Sequence, residues 1–182
     1  GARGAVQPQP PACCFITALC IGPALILPGW RRQLALTVAK LYDFTDMKIP
    51  VEVVRGTADG PTLFVSAAIH GDEINGVDIV RRLLKHRALK TITGTLIAIP
   101  IVNVFGFNDK SRYLPDRRDL NRMFPGLKDG SEGARLAHFL WTNFIAQADY
   151  IVDVHSGSYN RWNFPHLRGN MKDETMRDWA RN

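Results

Sequence analysis

His70, Glu73 and His155 are the residues of this chain whose types and spacing suit metal chemistry. Zinc takes imidazole nitrogen and carboxylate oxygen. Three protein ligands leave its fourth position open to water, the arrangement of a catalytic rather than a structural zinc. His70 and Glu73 sit in His70-Gly71-Asp72-Glu73, and His155 closes Ile151-Val152-Asp153-Val154-His155. An H-x-x-E spacing alone is weak, because many surface helices carry such a pair as solvated side chains. Here the apolar run before it, the glycine inside it and the Asp-Val-His-Ser-Gly segment downstream favour one bound zinc over a solvated pair.

A second group of candidates lies in Ser111-Arg112-Tyr113 and in Asp119-Leu120-Asn121-Arg122. A guanidinium grips a carboxylate with two parallel hydrogen bonds, which fixes orientation as well as charge. The segment therefore reads as an anion-recognition loop in which Asn121 offers an amide beside Arg122 and Arg112 is placed to polarise a carbonyl or hold a developing oxyanion. Asp116, Arg117 and Asp119 are expected to pair within the loop and hold its shape. The remaining histidines receive plainer roles: His86 at the end of a helix, His138 on or packed beneath a helix surface, and His166 as a lesser candidate for touching substrate.

These residues need elements to hold them. Thr62 to Ile69 is an apolar run that reads as a buried strand, and Asn75 to His86 has apolar residues at helical spacing. His70 and Glu73 thus stand where a strand hands over to a helix, which is where open α/β sheets place their ligands. Tyr150 to Val154 is a further strand, and it delivers His155. Gly94 to Pro100 is nearly continuous in apolar residues, as a central strand covered on both faces must be. Leu34 to Val38 and Lys48 to Arg55 form a candidate antiparallel edge pair. Ser131 can cap a helix running from Glu132 to Gln147, and a short charged helix follows near Asp173 to Arg181. The long segment from Asn103 to Gly130 is rich in Asn, Asp, Arg, Pro and Gly, and a loop of that length is usually functional. The fold class expected is α/β, a mixed and mostly parallel sheet with helices on both faces.

The 182 residues, 46% of them hydrophobic, suffice for one core. The net charge of +6 first suggests nucleic acid, but the basic residues are scattered and several alternate with acids, as in Asp116-Arg117-Arg118-Asp119. No aromatic-basic interleaving of the kind that binds single strands occurs, so the charge reads as a solvated surface and no nucleic-acid partner is expected. Cys13, Cys14 and Cys20 cluster away from the candidate site, and their odd number argues against a disulfide framework. Residues 1–28 read as a disordered extension, with a signal-like leader as the alternative; the apolar run within them is short for a membrane span. Residues 29–182 read as the folded domain. No membrane partner is expected, and a cytoplasmic location is favoured over export.

The order Ala68-Ile-His-Gly-Asp-Glu-Ile-Asn-Gly76, Pro100-Ile-Val-Asn103, Ser111-Arg-Tyr113, Asp119-Leu-Asn-Arg122 with Phe124-Pro-Gly126, and Asp153-Val-His-Ser-Gly157 resembles the succinylglutamate desuccinylase/aspartoacylase family, within the zinc carboxypeptidase-like superfamily. The resemblance spans about Pro28 to the C-terminus. It implies that His70, Glu73 and His155 hold one zinc, that Asn121 and Arg122 bind a substrate carboxylate, and that Arg112 assists the scissile carbonyl. It implies hydrolysis of an N-acyl amino acid or a similar small carboxylate-bearing amide or ester, with a glutamate as general base. In the family that glutamate comes from a strand well after the second histidine. This implies a base beyond Asn182 and a chain that is the N-terminal portion of such a domain. The rival expectation is a non-catalytic zinc- or ligand-binding chain without that base.

Overall fold

The computed structural model describes residues 18–40 and 44–181. Seven strands and four α-helices follow one another: β1 (Leu19–Ile21), β2 (Ala24–Ile26), β3 (Arg31–Lys40), β4 (Asp46–Arg55), β5 (Thr62–Ala67), α1 (Asn75–Leu83), β6 (Thr95–Ile99), α2 (Val104–Asn108), α3 (Glu132–Asn143), β7 (Tyr150–Val154) and α4 (Glu174–Arg181). β3 to β7 form one sheet in the order β3-β4-β6-β5-β7. The β3–β4 and β4–β6 ladders are antiparallel, and the β5–β6 and β5–β7 ladders are parallel. The sheet is therefore mixed as expected, though only two of its four ladders are parallel rather than most, and parallel pairing is confined to the half that carries the candidate site.

Alternation along the strands sorts the core onto two faces. Val53, Phe64, Ile97 and Ile99 face Leu136, Leu140 and Phe144 of the α3 region. Val54, Val65, Ala67, Leu96 and Ala98 face Val80 and Leu84 of the α1 region. Helices thus cover both faces. The chain leaves β5 through α1 to reach β6 on one side, then crosses back through α3 to reach β7 on the other. β5 is the point where the winding reverses, and the crevice beyond its carboxyl end is where such sheets bind ligands.

Beyond longer strands β3 and β4 and the helix α2 inside the expected loop, three boundaries differ from the sequence expectation for a clear physical reason. The helix expected to run to Gln147 ends at Asn143, because Phe144 leaves helical geometry to bury its ring completely, stacked 5.9 Å from Phe64. The helix expected to reach His86 ends at Leu83. His86 turns extended, and its side chain accepts a hydrogen bond from Ala88 N at the start of a 3-10 turn. The ordered body also begins well before residue 29. β1 and β2 form a hairpin around Gly22 and Pro23, and Ile21 and Ile26 are fully buried in the main core. Gly22-Pro23 is a turn between two strands, not a break in an unstructured extension. The leader reading of the first residues falls outside the described part of the chain. Among the described residues no helix is long and apolar enough to cross a membrane.

Candidate metal and substrate site

β5 and β7 are parallel neighbours in register from Leu63↔Tyr150 to Ala67↔Val154. Their carboxyl ends therefore release His70 and His155 side by side, with ring centroids 5.1 Å apart. Two local features aim His70. Ala68 adopts a left-handed conformation, φ 51°, which turns the chain sharply as it leaves β5. Gly71 then packs against α2 so closely that a Cβ there would stand 1.9 Å from the Gly106 carbonyl carbon. Asn103 fixes α2 in turn: its backbone N donates to the Ala68 carbonyl, and its side-chain oxygen accepts from Gly106 N at 2.8 Å.

Glu73 lies at the centre, buried with His70. Its Oε1 is 2.9 Å from His70 Nδ1, and its Oε2 is 2.9 Å from His155 Nδ1. One ligand atom from each of the three residues lies within 4.8 Å of the others, close enough for a single metal ion to be held by all three. The outward nitrogens are also engaged. His70 Nε2 is 3.0 Å from Asp119 Oδ1, and His155 Nε2 is 2.7 Å from Asp153 Oδ2, which itself accepts from Ser66 Oγ through its other oxygen at 2.7 Å. A metal-ligating histidine characteristically gives its far N–H to a carboxylate, which fixes the tautomer and the ring plane. Both histidines have that arrangement. The donor set therefore fits a zinc ion: two nitrogens and a carboxylate converge, and each ring has an outer carboxylate to hold it.

Arg112 closes the cluster from the long loop. Its Nη1 donates to Glu73 Oε1 at 3.2 Å and its Nη2 to Asp119 Oδ2 at 3.2 Å. Burial pushes the Glu73 carboxyl up, but hydrogen bonds from His155, His70, Ser158 and the Ser156 backbone outweigh it and hold the group well below the usual carboxylate range. Asp119 is likewise lowered: burial opposes, and its contacts with His70, Asn121 N and Arg112 prevail. The hydrogen bonds to Asp153 and Glu73 raise His155 to about 10 against the opposing pull of burial.

The structure thus brings together His70, Glu73, His155 and Arg112. Asn121 and Arg122 form a 3-10 turn directly after Asp119, whose Oδ1 accepts from Asn121 N at 3.0 Å. Their segment is therefore moored at the cluster, while both residues are exposed. His166 is exposed and meets the Phe164 carbonyl and Arg168. Glu132 and Glu174 are exposed on α3 and α4, and Glu174 pairs with Arg177. Asp119 and Ser158 are the residues that sequence reasoning missed. Asp119 was expected to shape its loop, yet it backs His70. Its place at the head of Asp119-Leu120-Asn121-Arg122 was the available signal, whereas nothing in the sequence marked Ser158.

Comparison with known proteins shows what the chain is similar to. Residues 59–181 match the family model described as the succinylglutamate desuccinylase/aspartoacylase catalytic domain. A curated relative, N-alpha-acetyl-L-2,4-diaminobutyric acid deacetylase of Halomonas elongata, is 33% identical over 110 residues, which cover 60% of this chain and 32% of the relative. Among solved structures, a succinylglutamate desuccinylase/aspartoacylase from Rhodobacter sphaeroides superposes with a TM-score of 0.66 at 30% identity, over 71% of this chain and 41% of its own. The product-bound ectoine utilization protein EutE (DoeB) from Ruegeria pomeroyi gives 0.65 at 32% identity, over 78% of this chain and 43% of its own. The chain spans less than half the length of each of these relatives.

Proposed function

The chain belongs to the succinylglutamate desuccinylase/aspartoacylase family, and from that premise we propose that it carries the zinc site of a hydrolase that removes the acyl group from an N-acyl amino acid. The observation that carries the reading is the convergence of His70 Nδ1, Glu73 and His155 Nδ1, each histidine backed by its own aspartate. Zinc held there supplies a Lewis acid toward an acyl oxygen and water.

The chain's own residues hold and orient the groups around that site. Asp119 and Asp153 hold the two imidazole rings with Nδ1 facing inward. Glu73 stays ionised across the physiological range and keeps a negative charge at the centre. Arg112 sits beside that charge with its guanidinium at the mouth of the cluster, half-buried, where it can meet the negative charge that develops on an acyl oxygen during attack. Arg122 and Asn121 offer an exposed guanidinium, without a partner among the described residues, and an amide to the carboxylate of the amino-acid portion. Binding at that carboxylate fixes where the amide bond lies relative to Arg112.

The relative from Halomonas elongata names a suitable probe. The whole protein that contains this chain, loaded with zinc, should release acetate from N-alpha-acetyl-L-2,4-diaminobutyrate or from another N-acetyl amino acid, and Arg112→Ala should lower kcat; residues 1–182 alone, without the general base, should turn over poorly or not at all. Absence of hydrolysis across a panel of N-acyl amino acids, by that whole protein with zinc bound, would overturn the reading.

A further inference from the structure

Resting on that reading of the site, we propose that Ser158 is a positioning residue: its hydroxyl links the Arg112 guanidinium to the Glu73 carboxylate and sets where both groups stand. Ser158 Oγ lies 2.8 Å from Arg112 Nη1 and 2.8 Å from Glu73 Oε1. The direction of both bonds is forced. A guanidinium has only donors, so the hydroxyl accepts from Arg112; the hydroxyl's single proton is then free for the carboxylate, which only accepts. A group that must accept from a cation and donate to an anion at one point has to be a hydroxyl. The carboxylate has about four lone-pair sites, so this bond and metal ligation do not exclude one another.

The segment around Ser158 is built to keep the hydroxyl there. Asp72, the residue before Glu73 in the H-x-x-E motif, reaches across to the turn after β7. Its Oδ2 accepts from Tyr159 N at 3.0 Å, and its Oδ1 stands 3.5 Å from Ser158 Oγ. Tyr159 adopts φ 57°, a left-handed conformation that folds the chain back, and Gly157 leaves no room for a side chain, since a Cβ there would meet the Arg161 carbonyl oxygen at 2.0 Å. Asp72 thus ties the turn that follows His155 to the turn that follows His70. Ser158 is the point at which this tie meets the arginine.

The test compares wild type, Ser158→Ala, Ser158→Thr, Arg112→Ala and the Ser158→Ala/Arg112→Ala double variant in the whole protein that contains this chain. The first readout is zinc affinity by chelator competition, with zinc as the only added ligand. Loss of the hydroxyl should weaken zinc binding by about 10–100-fold, the usual effect of removing a group that orients a metal ligand. The second readout is steady-state kinetics on N-alpha-acetyl-L-2,4-diaminobutyrate at saturating zinc. Ser158→Ala should lower kcat about tenfold, the loss of one charge-assisted hydrogen bond, and leave KM within about twofold. Ser158→Thr keeps the hydroxyl and should restore both readouts. The double variant should be no slower than Arg112→Ala alone, because the hydroxyl acts on kcat through that arginine.

Wild-type zinc affinity and kcat in Ser158→Ala overturn the proposal. So do a threonine variant as impaired as the alanine one, additive losses in the double variant, and failure of Ser158→Ala to fold, which would make the serine a scaffold residue. If wild type does not hydrolyse the substrate at all, the hydrolase reading is what has failed. The zinc affinities of the alanine and threonine variants then still decide the role of Ser158.

Discussion

His70 Nε2 meets Asp119 Oδ1 at 3.0 Å, while the ring's other nitrogen lies 2.9 Å from Glu73 Oε1. The two residues are 49 positions apart in sequence. Their contact joins the strand end that carries the metal candidates to the loop that carries the arginines. The same carboxylate takes Arg112 on its second oxygen. Asp119 therefore ties the metal candidates and the anion-recognition segment into one rigid unit.

The first expected outcome follows from that contact. Asp119→Asn preserves the shape of the side chain and removes its charge, so the His70 ring loses the acceptor that fixes its tautomer. Zinc affinity should fall by about 10–100-fold, measured by chelator competition. Unchanged affinity would mean that Asp119 does not orient His70.

Arg122→Ala should act on binding rather than turnover. Arg122 is exposed and its guanidinium has no partner among the described residues, so it is free for a substrate carboxylate. KM should rise about thirtyfold, roughly 2 kcal/mol, with kcat nearly unchanged. An amide substrate lacking the carboxylate should show no such rise. Equal effects on both substrates would remove Arg122 from carboxylate recognition.

Gly71→Ala should damage the site through the backbone. The added Cβ would meet main-chain atoms of Gly106 and Phe107, at 1.9 Å and 2.2 Å, and neither can rotate away. A loss of at least about 1–3 kcal/mol is expected, the usual cost of overpacking. Zinc binding should weaken with it, since His70 is the preceding residue. Thermal unfolding without metal, alongside a zinc titration, checks both effects.

How much of this was legible in the sequence divides by range. The strand, turn and helix around His70 were legible because their signals are local: apolar runs, helical spacing and a glycine. Tyr150 to Val154 was legible for the same reason, and so was Ser131, whose side chain accepts from Ala134 N at the head of α3. The pairing of β5 with β7 could be expected only from the fold class, because parallel neighbours have no turn between them to announce their register. The roles of Asp119 and Ser158 depend on loops meeting across the crevice and have no periodic signature. The β1–β2 hairpin was hidden by composition. Its apolar residues read as part of an unstructured extension, with a leader as the alternative, and only the burial of Ile21 and Ile26 in the main core shows that residues 19–26 belong to the fold.

The metal-free protein should have a stability maximum on the acid side of neutrality. The folded Glu73 pKa is depressed below its ordinary 4.5, so its contribution is present above about 4.5 and is lost as pH falls through the lower folded value. The folded His155 pKa is raised from 6.5 to about 10, so its contribution is complete below 6.5 and is lost as pH rises through 10. The His155 ring is 37% exposed, so solvent screening makes the alkaline slope gentle. Urea unfolding at several pH values, with and without zinc, checks this. Zinc should flatten the alkaline slope, because a ligating imidazole has already given up its proton. A slope of the opposite sign between pH 6.5 and 10 would contradict the ion pairs seen around His155.

X-ray absorption at the zinc edge, on protein loaded with one equivalent of zinc, tests the central claim most directly. Nitrogen and oxygen neighbours should appear at about 2.0–2.2 Å, with imidazole scattering from two histidines and no sulfur shell near 2.3 Å. His155→Ala should lose one imidazole contribution or lose the metal altogether. A sulfur shell, or zinc that remains unchanged in both His155→Ala and Glu73→Ala, would contradict the account.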